Sequence, residues 1–303
     1  MPTTEKNFVY DTERWNAVAL RDGDIIISTP AKCGTTWTQM LVALLIFDTP
    51  DLPAPLARLS PWVDMNTRPV DDVVAELEAQ SHRRFMKSHA AIDALPQDGG
   101  VTYISVGRDP RDVALSWAHH YWNMNLENFF NERAQAVGLD DLADMPAQLP
   151  PPQDRPLGES FWAWIEGDEG MGSAVGLVAH LRGFWDRRND PNVILLHYAD
   201  LQKDLVGQMA ELAERLGIER SRERLEQLAP AASFAEMKAS AERVAPNADQ
   251  TFWKSTSDFF HKGTSGQWHD VMTDADLPRY ERRMTELVPD DDFGRWLHQG
   301  TLS

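Results

Sequence analysis

The chain has 303 residues, of which 42% are apolar and 25% charged, and its formal net charge is −18. A chain of this length and composition buries a large core as an ordinary globular protein. Its acidity argues against a nucleic-acid partner, because duplex binding needs a basic face that displaces counterions. A local basic pocket is still compatible with it.

Cys33 is the only cysteine. There is therefore no internal disulfide framework and no cysteine-based zinc site, which fits a reducing compartment. The opening residues, MPTTEKNFVYDTERW, lack the basic-then-apolar layout of a signal peptide. The longest apolar run, MLVALLIF at 40–47, is too short to span a bilayer. A cytoplasmic protein without an integral membrane segment is the expectation.

In chain order, the first apolar segment, DIIIST (24–29), reads as a buried strand that runs into PAKCGTTW. After Gly34, residues Trp37, Leu41, Leu44 and Leu45 recur at helical spacing. RRFMKS (83–88) and VTYISV (101–106) read as further strands. Asp109 and Pro110 then make an N-cap and first-turn pair for the helix RDVALSWAHHYW. The stretch 138–160 is rich in proline and acid and has little periodicity, so it reads as a surface loop or as a lid over a pocket. NVILLH (192–197) is the fourth strand, and LVGQMAELAERLGI after it ends at a glycine cap. Strands alternating with helices predict one α/β domain over residues 1–303, a parallel sheet covered on both faces.

The turn after the first strand carries the chemistry. It sets backbone N–H groups at the positive end of a helix, where an anion binds. Gly34 permits close approach, and Thr35 and Thr36 add hydroxyl donors. Lys32 precedes the glycine, whereas the P-loop of nucleotide triphosphatases places its lysine after one. A P-loop kinase-like phosphotransferase would show GK[ST] and a magnesium-binding aspartate; the first is absent. A non-catalytic module that binds adenine nucleotides is the other alternative. His119 and His120 are adjacent, so in a helix they point about 100° apart and do not suit joint metal binding.

STPAKCGTTW resembles the YPKSGTTW signature of the cytosolic sulfotransferases, which use 3′-phosphoadenosine 5′-phosphosulfate (PAPS) and release 3′-phosphoadenosine 5′-phosphate (PAP). GRDPRDVALSWAHHY is similar to that family's RNPKDVAVSYYHF, and HKGTSGQWH to its RKGxxGDW. The three matches occur in order and extend over residues 20 to 275. The resemblance implies a P-loop-like three-layer fold with a central parallel sheet. It also implies that Lys32, Cys33, Gly34, Thr35 and Thr36 hold the phosphosulfate and that Trp37 stacks on the adenine. Arg108 and Ser116 match positions that bind the 3′-phosphate. Tyr198 and Phe234 match residues near the adenine, and His261, Lys262 and Gly263 match the last phosphate-binding turn.

The segment FMKSHAAIDALP resembles the family's KTHLPxxLLP, which makes His89 the general base. By itself, one histidine among nine is ordinarily a surface or satisfied core residue. Lys87, two residues earlier in an extended segment, falls on the same face as His89. The resemblance has Lys32 and Lys87 stabilise the transition state and Ser116 hold Lys32 aside until an acceptor arrives. Taken alone, Arg108 also reads as a surface partner of Asp109 or Asp112. Trp62, Trp122 and Trp162 are candidates for an apolar acceptor pocket.

The acceptor expected is a hydroxyl of a small or lipid-like molecule, such as a phenol, a sterol-like alcohol or a glycolipid, with no metal. The family's arginine before Lys262 is His261 here, and a threonine expected two residues before Phe234 is Ala232, so a weaker grip on the 3′-phosphate is expected. HDVMTDADL does not match the family's KxxxTVxxxE dimer motif, and the oligomeric state is not read.

Overall fold

The computed structural model describes residues 3–144, 154–168, 170, 172–289 and 291–301. Among these, one sheet of four parallel strands is built from β1 (Ile25–Ser28), β2 (Phe85–Ser88), β3 (Thr102–Gly107) and β4 (Val193–His197). The spatial order is β2-β1-β3-β4. Each strand lies within its expected segment or one residue beyond it.

Side chains alternate across the pleat as strand geometry requires. Ile25 and Ile27 of β1, Ile104 and Val106 of β3, and Ile194 and Leu196 of β4 face one core with the helices Thr35–Phe47 and Leu205–Arg215. Ile26, Met86, Tyr103 and Val193 face a second core with Val9, Tyr10, Trp15, Phe129 and Phe184. Burial on both faces explains why the strands read as continuous apolar runs. A third cluster joins the helices Pro110–Asn123, Leu157–Glu166 and Ala174–Asp186 to the C-terminal helices. Helices therefore cover the parallel sheet on both sides, as the sequence implied.

β1 has β2 on one side and β3 on the other, in register at Ile27↔Lys87 and Ile27↔Ile104. The connection after β1 runs to β2 on one side and the connection after β3 to β4 on the other, and the crevice beyond the carboxyl ends of such strands is where open α/β sheets bind ligands. Three of the expected chemical groups hang there: the loop after β1, Lys87 with His89 at the end of β2, and Arg108 directly after β3. At the opposite end the buried Arg84 donates to both carboxylate oxygens of Asp24 and ties β2 to β1.

Within 138–160, the described parts are a 3-10 turn at Asp140–Asp144 and the start of the helix at Leu157. Residues 145–153 lie outside the described residues, and with them the distinction between loop and lid. No helix among the described residues is long and apolar enough to cross a membrane.

Candidate active site

The loop after β1 turns sharply because Lys32 (φ 71°) and Gly34 (φ 108°) both take left-handed backbone conformations. Gly34 is the N-cap of the helix Thr35–Phe47. A Cβ there would meet the Tyr198 ring at 3.2 Å, so glycine serves both the backbone and the packing. The amides of Thr35, Thr36 and Trp37 have no carbonyl partner within their own helix. Buried Thr35 shares a 2.5 Å hydroxyl contact with Thr29, which fixes the first turn. Cys33 is fully buried and its thiol is pushed up to about 12 by that burial, so it is not a nucleophile.

Arg108 locks this loop from β3. Its Nη1 donates to the Lys32 carbonyl at 3.0 Å and its Nη2 to the Thr264 carbonyl at 3.3 Å. The guanidinium lies 4.2 Å from the Tyr198 ring centroid, and Trp37 meets the same ring edge-on at 5.1 Å. The Nε of Arg108 and the Nε1 of Trp37 are buried without a partner, which marks them as donors waiting for an acceptor. Gly263 (φ 67°) sits so close to Phe234 that a Cβ would clash with its ring. His261 stacks on His119 at 3.7 Å, and Lys262 pairs with Asp270 at 3.2 Å.

The side of the cavity at the end of β2 is equally constrained. His89 donates from Nδ1 to the Thr29 carbonyl at 2.6 Å, which leaves its lone pair on Nε2. Burial, then the charge of Lys87, holds its pKa well below the usual value, so it is the neutral base form. Trp62 contacts His89 edge-on at 4.7 Å and lies 3.8 Å beneath the Lys87 Nζ. Burial pushes Lys32 and Lys87 each down to about 7, with Arg108 adding to the effect on Lys32 and Lys32 to that on Lys87. The Lys32 amine does not meet Ser116: it lies 3.1 Å from His120 Nδ1 and 4.6 Å from the Phe259 ring centroid.

One cavity of about 1160 Å³ gathers these groups. Lys32, Lys87, His89, Arg108 and Ser116 line it, as do Gly34, Thr35, Thr36, Trp37, Tyr198, Phe234, His261, Lys262 and Gly263. Cys33 is not among the lining side chains. Of the tryptophans, Trp62 lines the cavity, but Trp122 packs against His119 and Trp162 lies under Arg279, so these two do not. Trp117 and Trp253 do line it, and the segment Thr4–Tyr10 forms part of the wall. No periodicity marked those residues; they reach the cavity through long-range packing. No group of three or more metal-ligating side chains occurs among the described residues.

A family model described as Sulfotransferase domain matches residues 22–292. A glycolipid sulfotransferase of Mycobacterium bovis is 42% identical over 313 residues, covering 97% of this chain and 94% of that protein. The glycolipid sulfotransferase of Mycobacterium tuberculosis is 42% identical over 308 residues with the same coverage. Sulfotransferase 1A1 of Rattus norvegicus is 25% identical over 289 residues, 89% of this chain and 86% of that one. In fold, the chain is similar to a mouse sulfotransferase complexed with PAP, with a TM-score of 0.71 and 21% identity across 97% of both chains. A retinol dehydratase in complex with androsterone and inactive cofactor PAP gives 0.70 and 21%, covering 96% of this chain and 91% of that one.

Proposed function

The chain belongs to the sulfotransferase family, and from that premise we propose that it moves the sulfuryl group of PAPS to a hydroxyl of a lipid-like acceptor, a glycolipid foremost. One observation carries the donor reading. Among the described residues, Lys32, Lys87 and Arg108 line a single cavity in a chain of net charge −18, and none has an ion-pair partner. Buried cations without partners are costly, and a polyanion is the ligand that relieves the cost. Arg108 Nε, Trp37 Nε1 and the helix amides after Gly34 supply donors for its phosphates and base.

The donor supplies an activated sulfuryl group on its 5′-phosphate. His89, neutral and with its lone pair at Nε2, takes the proton of the acceptor hydroxyl as that oxygen bonds to sulfur. The bond from sulfur to the phosphate oxygen breaks in line, and the ammonium of Lys32 stabilises the charge left there. Lys87, held by Trp62, stabilises the equatorial oxygens in flight. Arg108 fixes the Lys32 backbone and holds phosphate. Ser116, Tyr198, Phe234, His261, Lys262 and Gly263 complete the nucleotide side of the cavity.

Support for a lipid-like acceptor comes from the relatives named glycolipid sulfotransferase and from the apolar wall of the same cavity, which includes Phe8, Tyr10, Met65, Met124, Phe252 and Trp253. Incubation with ³⁵S-labelled PAPS and a total glycolipid extract tests it. Label in a glycolipid is the expected result; label released only as inorganic sulfate contradicts the acceptor assignment.

A further inference from the structure

We infer that His120 is the positioning residue of Lys32: its Nδ1 accepts a hydrogen bond from the Lys32 ammonium and fixes the amine, charged, against the cavity wall. The inference rests on the donor reading for its consequence, but its evidence is geometric. Lys32 Nζ and His120 Nδ1 are 3.1 Å apart, and both side chains face the cavity from different elements, the loop after β1 and the helix Pro110–Asn123. His120 is held in turn by aromatic neighbours, Trp253 at 4.9 Å, Phe259 at 5.8 Å and Trp117 at 6.0 Å. Phe259 also lies beneath the Lys32 amine. The imidazole and the phenyl ring thus form a two-sided seat for one ammonium, an acceptor on one side and a π-face on the other.

That seat has a purpose in its surroundings. The groups that act on Lys32 are Arg108, Cys33, Lys87, His89, His119, His120 and His261. None is a carboxylate, and burial, then the charge of Arg108, drives the amine toward its neutral form. A neutral amine is useless for stabilising a leaving phosphate oxygen. His120 opposes this drift because burial, with the charges of Lys32 and Lys87, keeps its own imidazole neutral and therefore an acceptor. Its Nε2 then carries the proton, and Nδ1 the lone pair that Lys32 uses.

The test is a pH titration of the Lys32 side chain by ¹³C NMR in protein without donor. The chain has seven lysines, so Lys32→Met identifies the resonance. His120→Phe keeps the aromatic packing but removes the acceptor, and the Lys32 midpoint should fall by about one to two pH units. His120→Gln, whose amide oxygen accepts, should restore most of that shift. An unmoved or raised midpoint in His120→Phe overturns the inference. So does ¹⁵N NMR of wild-type protein showing the His120 proton on Nδ1, a check that needs no variant to fold. Calorimetry with PAP separates the two claims. If wild type and variants all bind PAP and the midpoint is unmoved, only the role of His120 fails; if wild type binds no PAP, the donor reading fails.

Discussion

The Lys87 amine lies 3.8 Å from the centroid of the Trp62 indole, and that indole is anchored by donating its Nε1–H to the buried carboxylate of Asp64 at 2.7 Å. The lysine is thereby aimed into the cavity without an ion-pair partner. A cation–π contact of this kind contributes about 0.5–2 kcal/mol. Trp62→Leu should slow transfer by about 3- to 30-fold. An unchanged kcat would show that the Trp62 contact does not position Lys87 for the reaction.

Asp64 gives a stability prediction. It accepts from Ser88, Trp15 and Trp62, yet burial pushes its carboxyl up to about 6 from an ordinary value of 3.8. Between those values the folded state binds the proton that the unfolded state releases, so this group's contribution to stability falls as pH rises through about 6 and stays lost above it. Asp64→Asn removes that ionisation. Its unfolding free energy relative to wild type should improve by up to about 3 kcal/mol between pH 4 and pH 7. A difference independent of pH would contradict the assignment.

Ligand binding should take up protons. Lys32 and Lys87 sit near 7 in the cavity by burial, and an adjacent polyanion raises both. PAP affinity should therefore weaken as pH rises above 7. Calorimetry in buffers of differing ionisation enthalpy should show net proton uptake near pH 8. Equal enthalpies in all buffers, with a pH-independent Kd, would count against these two amines as ligands.

Metal should be dispensable. Lys32, Lys87 and Arg108 provide the positive charge that a P-loop kinase obtains from magnesium. Transfer should persist in EDTA. Loss on chelation, restored by magnesium, would favour phosphotransfer chemistry instead.

The sheet was readable because parallel strands buried on both faces leave unbroken apolar runs, as DIIIST and VTYISV do. The Asp109–Pro110 cap was readable because capping is local: Asp109 accepts from the Arg111 amide. Gly34 was readable because its left-handed backbone and the nearby Tyr198 ring both favour a residue without a Cβ. What escaped was packing between distant segments. Nothing local in HHYW says that His120 meets Lys32, 88 positions away. Thr4–Tyr10 carries no periodicity, yet Arg133 reaches the Phe8 carbonyl at 3.0 Å and holds that segment against the cavity. Of the candidates Trp62, Trp122 and Trp162, only Trp62 lines the cavity, and for the same reason: which face a tryptophan presents depends on partners far along the chain.

The most direct measurement pairs two quantities on one variant, His89→Ala: the Kd for PAP and the single-turnover rate of sulfuryl transfer from PAPS. Loss of a positioned base costs about 10²- to 10⁴-fold in rate, and the imidazole has no part in holding the nucleotide. The prediction is a Kd within about threefold of wild type with a rate lower by at least about 10²-fold. A variant that binds PAP normally and transfers at the wild-type rate would contradict the account.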